Sequence, residues 1–355
     1  MSEPDREIVA SRILCATLVC VVMGGAQWSE TAQNPAPRLP ARLEHYLKDV
    51  VGATSAERAR LMEGSPITRL LEGDPGKEVA VFGAIWINAP IRRYVDAVQD
   101  IENFERGTGF LVTKRISAPP RLDDFAALRL PQEDVADLRT CRVGNCEVKL
   151  GEQALQRFRT EIDWKGPGVQ AAADALMRRL VLEYVTGYLE GGNARLAVYR
   201  DDSQPTFVAE EFRAMVAQMP ELAASMPAVR RYLLDYPKAT LPGATSFLYW
   251  QATEFGLKPT IRISHLTIRE DADETVVASK MLYATHYFWT ALELRALVPD
   301  PSRGPGFWFV TVNRSRSDGL TGFSGFFIRR RVRSEVEDGS LAILRRTKER
   351  LERGR

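Results

Sequence analysis

Residues able to do chemistry crowd toward the C-terminal end of the chain. Tyr283, His286, Tyr287, Phe288 and Trp289 share one apolar run, and His265 precedes them on a neighbouring strand candidate. Period-two alternation puts Leu282, Ala284, His286, Phe288 and Thr290 on one face, and Tyr283, Tyr287 and Trp289 on the other. A histidine on such a face is either a general base or, more often, a core residue held by hydrogen bonds. His286 is the candidate base, with Tyr283, Phe288 and His265 as candidates for lining the same cavity. Two histidines are too few for zinc unless Glu254 or Asp318 converges on them, so neither a metal nor a cofactor is expected.

A second polar concentration is Asn-Arg-Ser-Arg-Ser-Asp-Gly-Leu at residues 313–320. The guanidinium forks of Arg314 and Arg316 suit bidentate recognition of a carboxylate or phosphate head group at a cavity mouth, with Asn313 and Asp318 fixing the loop. The alternative is a solvated turn that reverses at Asp318-Gly319. Cys141 and Cys146 bracket a Val-Gly-Asn turn and are expected to form a local disulfide. Zinc would need two further ligands, and neither Cys-x-x-Cys spacing nor a His after Cys146 is present. No Ser-His-Asp order, Gly-x-Ser-x-Gly elbow, phosphate loop or dinucleotide fingerprint occurs.

The elements that must position these groups read as α+β. Residues 77–87 are strand formers, Ala89-Pro90 interrupts them, and Ile91, Tyr94, Val95, Val98 and Ile101 return at helical spacing. Residues 110–116 make another strand. Strand candidates follow at 247–254, 260–269, 275–298 and 306–313, separated by turn-forming stretches. Residues 322–352 read as a helix, open to a break at Asp338-Gly339, with Phe323, Phe326, Phe327, Val336, Leu344 and Leu351 available for an inner face.

A first strand ending in Ala-Pro, a helix closing on Asp100-Ile-Glu-Asn-Phe104 and a long C-terminal helix resemble the START-like, or helix-grip, superfamily of lipid carriers and polyketide cyclases. The resemblance implies a curved antiparallel sheet around that helix, in a domain spanning residues 77–355. Residues 118–245 depart from the pattern as an insertion. Val169, Ala173, Leu176, Leu180, Tyr184 and Tyr188 form a helical stripe there, and further helices are expected at 207–219 and 228–236. The insertion is either a lid over the cavity or a docking surface.

At the N-terminus, Arg6 and Arg12 precede the apolar run 13–23 and the small residues Gly24, Gly25 and Ala26, the layout of a signal peptide over residues 1–26. Residues 27–76 read as a linker followed by an amphipathic helix carrying Leu39, Leu43, Tyr46, Leu47 and Val50. The expected location is therefore secreted or periplasmic. Across 355 residues, 48 Lys and Arg against 46 Asp and Glu give a net charge of +2, too balanced for a dedicated nucleic-acid binder. Residues 329–355 carry ten basic against five acidic residues, either a solvated helix face or a contact with an anionic membrane. The resemblance implies binding or transfer of a lipid or other hydrophobic small molecule. The alternatives are a cyclase- or hydrolase-type enzyme using His286 in the same cavity and an envelope protein-interaction module.

Overall fold

The computed structural model describes residues 38–353, apart from 108, 256–257 and 319–321. The expected signal segment at 1–26 lies outside the described residues, as do the side chains of Phe323, Phe326 and Phe327. The strands are β1 (Ile67–Leu70), β2 (Glu78–Ile87), β3 (Phe110–Arg115), β4 (Val198–Tyr199), β5 (Thr206–Phe207), β6 (Ala244–Phe255), β7 (Lys258–Glu270), β8 (Thr275–Ala284), β9 (Phe288–Pro299) and β10 (Phe307–Ser317). Eight of them form one antiparallel sheet in the order β1-β2-β10-β9-β8-β7-β6-β3, while β4 and β5 pair separately. β6 to β10 form a meander, and the earlier strands split to its two sides.

The helices are α1 (Ala41–His45, continued by a π turn over Tyr46–Val50), α2 (Ser55–Met62), α3 (Ile91–Gln99), α4 (Ile101–Phe104), α5 (Gln132–Leu138), α6 (Glu152–Glu161), α7 (Val169–Gly191), α8 (Val208–Ala217), α9 (Pro220–Ala224), α10 (Pro227–Asp235) and α11 (Gly322–Glu352). They cover both faces of the sheet. On the first face, Phe82, Trp308, Leu294 and Ala278 pack against the N-terminal helices and α8 to α10, while Leu248, Trp250 and Ile263 pack against α5 to α7. On the second face, Ile85, Phe309, Leu297, Val277 and Leu266 meet Tyr94, Val95 and Val98 of α3 and Leu344 and Leu351 of α11. Two-sided burial is why β2 and β8 read as almost unbroken apolar runs rather than alternating ones. Gly83 lets α11 come close: a Cβ there would lie 3.0 Å from the Leu344 side chain and 3.2 Å from that of Thr311.

Three expectations need correction. The strand expected over 275–298 is two strands, with residues 285–287 at the hairpin apex. No Gly, Asn, Asp or Pro marks that turn; the residue taking positive φ (62°) is Tyr287. His286 therefore sits in the apex and Phe288 opens β9, instead of the two sharing a strand face. Second, β10 runs through the expected turn at 313–317, so Arg314 and Arg316 point to the first face and Asn313 to the second. Finally, α11 is continuous through Asp338-Gly339.

Candidate functional site

His286 sits at the hairpin apex with both ring nitrogens occupied. Nδ1 lies 3.1 Å from the Glu147 carbonyl and Nε2 2.9 Å from Oδ2 of Asp134, a fully buried carboxylate of α5. A carbonyl only accepts, so Nδ1 donates to Glu147, and Nε2 is left facing the Asp134 carboxylate. Glu147 directly follows the disulfide Cys141–Cys146, which closes the loop presenting that carbonyl. His286 thus ties the hairpin to α5 and to the loop that follows it. Tyr283 is buried and donates to the Lys149 carbonyl at 2.8 Å. Phe288 is half-buried beside Tyr287, at 6.5 Å between ring centroids.

Arg314 and Arg316 hold an anion, and it belongs to the protein. The side chain of Glu78 on β2 is fully buried; its Oε1 accepts from Arg314 Nη1, and its Oε2 lies 3.7 Å from Arg316 Nε. Arg316 also meets Asp74 at 3.3 Å and Glu211 of α8 at 3.1 Å. Burial pushes the Glu78 carboxyl upward, against the pull of Arg314. Asn313 is exposed on the opposite face, and Asp318 pairs with Lys149, so the expected four-residue clamp does not assemble.

His265 falls into a buried cluster on the first face. It is the register partner of Lys280, whose side chain is sealed among Phe212 and Tyr188 with its Nζ 4.3 and 5.3 Å from their ring centroids. Asn193 orients this cluster. Its Nδ2 donates to the Leu233 and Leu234 carbonyls, at 2.9 and 2.6 Å, leaving Oδ1 to accept from Lys280. Gly192 makes that placement possible at φ 57°, because a Cβ there would lie 1.8 Å from the Tyr236 carbonyl oxygen. No carboxylate among the described residues pairs with Lys280. Burial lowers its pKa from 10.5 to about 7. His265 Nδ1 is 3.0 Å from the Tyr188 hydroxyl, and burial followed by the charge of Lys280 lowers its pKa to about 3. Sequence reasoning passed over Lys280, although a lone cation inside Val276–Tyr283 was a visible signal.

A denser polar group lies on the second face, where α3 and α4 cross the sheet. Arg295 of β9 grips Glu293 through Nε and Nη2, at 2.8 and 2.5 Å. Arg262 of β7 donates to Gln251 Oε1 at 3.1 Å, and Gln251 donates to the carboxylate of Glu105, the residue that ends α4. The Tyr249 and Ser279 hydroxyls are 3.0 Å apart. Four buried polar atoms in this group have no hydrogen-bond partner among the described residues: Tyr94 Oη, Arg262 Nε, Arg295 Nη1 and Thr311 Oγ1. Thr311 is the register partner of Arg295. Burial pushes the Glu105 carboxyl upward, toward its neutral form. The guanidiniums of Arg262 and Arg295 thus lie among the carboxylates of Glu105 and Glu293, on the face that carries the apolar Leu266, Val277 and Phe309. Such a surface suits a group that is acidic at one end and apolar at the other. Sequence reasoning missed it, because each member reads as an isolated charge within a strand.

Among the described residues no cluster of His, Cys, Asp and Glu has metal-binding geometry, and no helix is long and apolar enough to cross a membrane. Comparison with known proteins finds no matching family model, no matching curated protein and no matching solved structure.

Proposed function

We propose that the protein is a START-like, helix-grip carrier, secreted or periplasmic, that binds a lipid or other apolar molecule by an acidic head group on the second face of the sheet. The observation that carries this reading is that Arg295 Nη1, the Tyr94 hydroxyl near it and the hydroxyl of its register partner Thr311 are all buried and without hydrogen-bond partners among the described residues. An unmet buried polar atom costs about 1–3 kcal/mol, so three of them grouped at Arg295 favour a site completed by another molecule. The long α11 beside β1 and β2, with α3 and α4 linking β2 to β3, supports the helix-grip part of the reading. The occupied ring of His286 gives the enzymatic alternative no support, and the basic end of α11 remains a membrane-facing surface in this proposal.

The test compares dodecanoate with dodecanol by titration calorimetry, on the unmodified protein and on Tyr94→Phe and Arg295→Met/Glu293→Met. Dodecanoate is expected to bind at least ~10-fold more tightly than dodecanol, a preference lost in the double variant and reduced in Tyr94→Phe. Equal affinities in the unmodified protein, or no binding of either, would overturn the proposal. Mass spectrometry of molecules released from protein purified out of its native envelope then names the ligand.

A further inference from the structure

A cleft of about 390 Å³ runs inward from the edge where β3 meets β6, past Ile116, Leu189, Tyr236 and Leu248, to His265. It shares no residue with the polar group on the second face. Its aromatic wall is reinforced from behind: Tyr236 stacks on Tyr188 with centroids 5.1 Å apart and planes 20° from parallel. At the inner end His265 is 4% exposed, its Nδ1 is engaged by Tyr188, and its Nε2 has no hydrogen-bond partner among the described residues. Lys280, sealed behind it, has an amide partner and no carboxylate. Arg115, exposed over the ring of Phe247 at 4.0 Å, supplies positive charge near the outer end. The one carboxylate lining the cleft, Asp124, is already held by Ser117 and by the backbone amide of Arg121.

We propose that this cleft is a second binding site, for a small aromatic carboxylate whose acid group meets His265 and whose ring lies between Leu189, Tyr236 and Leu248. With the Tyr188 hydroxyl donating to Nδ1, the ring proton of neutral His265 resides on Nε2 and donates to the carboxylate. Lys280 and Arg115 add attraction from either end, and the apolar walls take the ring. The volume lies toward the small end of pockets that take organic ligands, which sets this site apart from one for a long acyl chain. Tyr188, Tyr236 and Leu189 come from α7 and the end of α10, so the site depends on the insertion that a simple helix-grip domain lacks.

The experiment titrates the unmodified chain with benzoate and, separately, with benzamide, following the side-chain nitrogen and proton resonances of His265 by NMR. Benzoate is expected to shift them saturably and to bind at least ~10-fold more tightly than benzamide. Leu189→Trp, which places a larger side chain in the cleft, is expected to abolish the benzoate-induced shift while leaving dodecanoate binding unchanged. Resonances unmoved by benzoate up to roughly 10 mM would overturn the proposal. So would equal affinity for benzamide, or benzoate binding that persists in a folded Leu189→Trp variant.

Discussion

Lys280 gives the molecule an unusual stability profile that a single substitution can expose. Burial lowers its pKa from 10.5 to about 7, so between those values the unfolded chain binds a proton that the folded chain does not. Stability therefore rises with pH across that window; the cost of burying the ammonium is fully present below pH 7 and fades toward pH 10.5. Between pH 7 and pH 9 the change amounts to about 2 kcal/mol, with 1.36 kcal/mol for each full pH unit and a smaller slope near pH 7 itself. Lys280→Met keeps the volume and removes the titration. It also removes the Asn193 hydrogen bond and the contact with Phe212, but those losses are largely independent of pH and cancel in the difference. His265 stays neutral throughout the window, and burial moves Tyr188 and Tyr236 above their usual range, so Lys280 is the member of its cluster that titrates there. Urea unfolding of both proteins at pH 7, 8 and 9 measures the effect: the advantage of the Met variant should shrink by about 2 kcal/mol as pH rises. Stability differences constant to within about 0.5 kcal/mol would refute the reasoning, because Lys280 would then titrate alike in both states.

Two other substitutions have defined outcomes. His286→Gln removes the partner of the fully buried Asp134 carboxylate and should destabilise the fold by about 3 kcal/mol while dodecanoate binding survives below the melting transition; thermal melts beside titrations check this, and a variant that melts like the parent would make His286 dispensable to the fold. Arg314→Met strands the Glu78 carboxylate and should cost about 3–5 kcal/mol, whereas Arg314→Met/Glu78→Met should recover much of that loss, as a double-mutant cycle in urea would measure.

Local periodicity carried much of the fold. The strand, Ala-Pro corner and helix from Glu78 to Gln99, the helix α7, the strands β6 and β7 and the Cys141–Cys146 bridge all follow from spacings of a few residues. What escaped depends on partners far apart in sequence. Arg314 looked like a loop residue because the carboxylate that neutralises it, Glu78, is 236 positions away. The β8–β9 apex stayed hidden because Tyr287 occupies a conformation that chemistry ordinarily assigns to Gly or Asn. The polar groups on the two faces were invisible for a related reason. Register alone places Lys280 opposite His265 and Thr311 opposite Arg295, and no one-dimensional pattern encodes which strand lies beside which. β1 is too short, at four residues, to rise above its surroundings.

The two ends of the sheet bear on how the chain behaves in crowded surroundings. An open β-sheet invites a further strand from another copy, which is how many β proteins begin to aggregate. Here the outer strand at one end, β1, offers only four residues. At the other end β3 is interrupted by a bulge between Phe110 and Val112 and carries Lys114 and Arg115, the former paired with Glu102 at 2.8 Å. A strand arriving at β3 would meet an irregular ladder and a charged border, although Leu111, 52% exposed, offers it an apolar foothold. Removing the charges of Lys114 and Arg115 would leave that foothold unguarded, so these two side chains act as gatekeepers that keep an eight-stranded sheet from growing into a ninth strand taken from a neighbour.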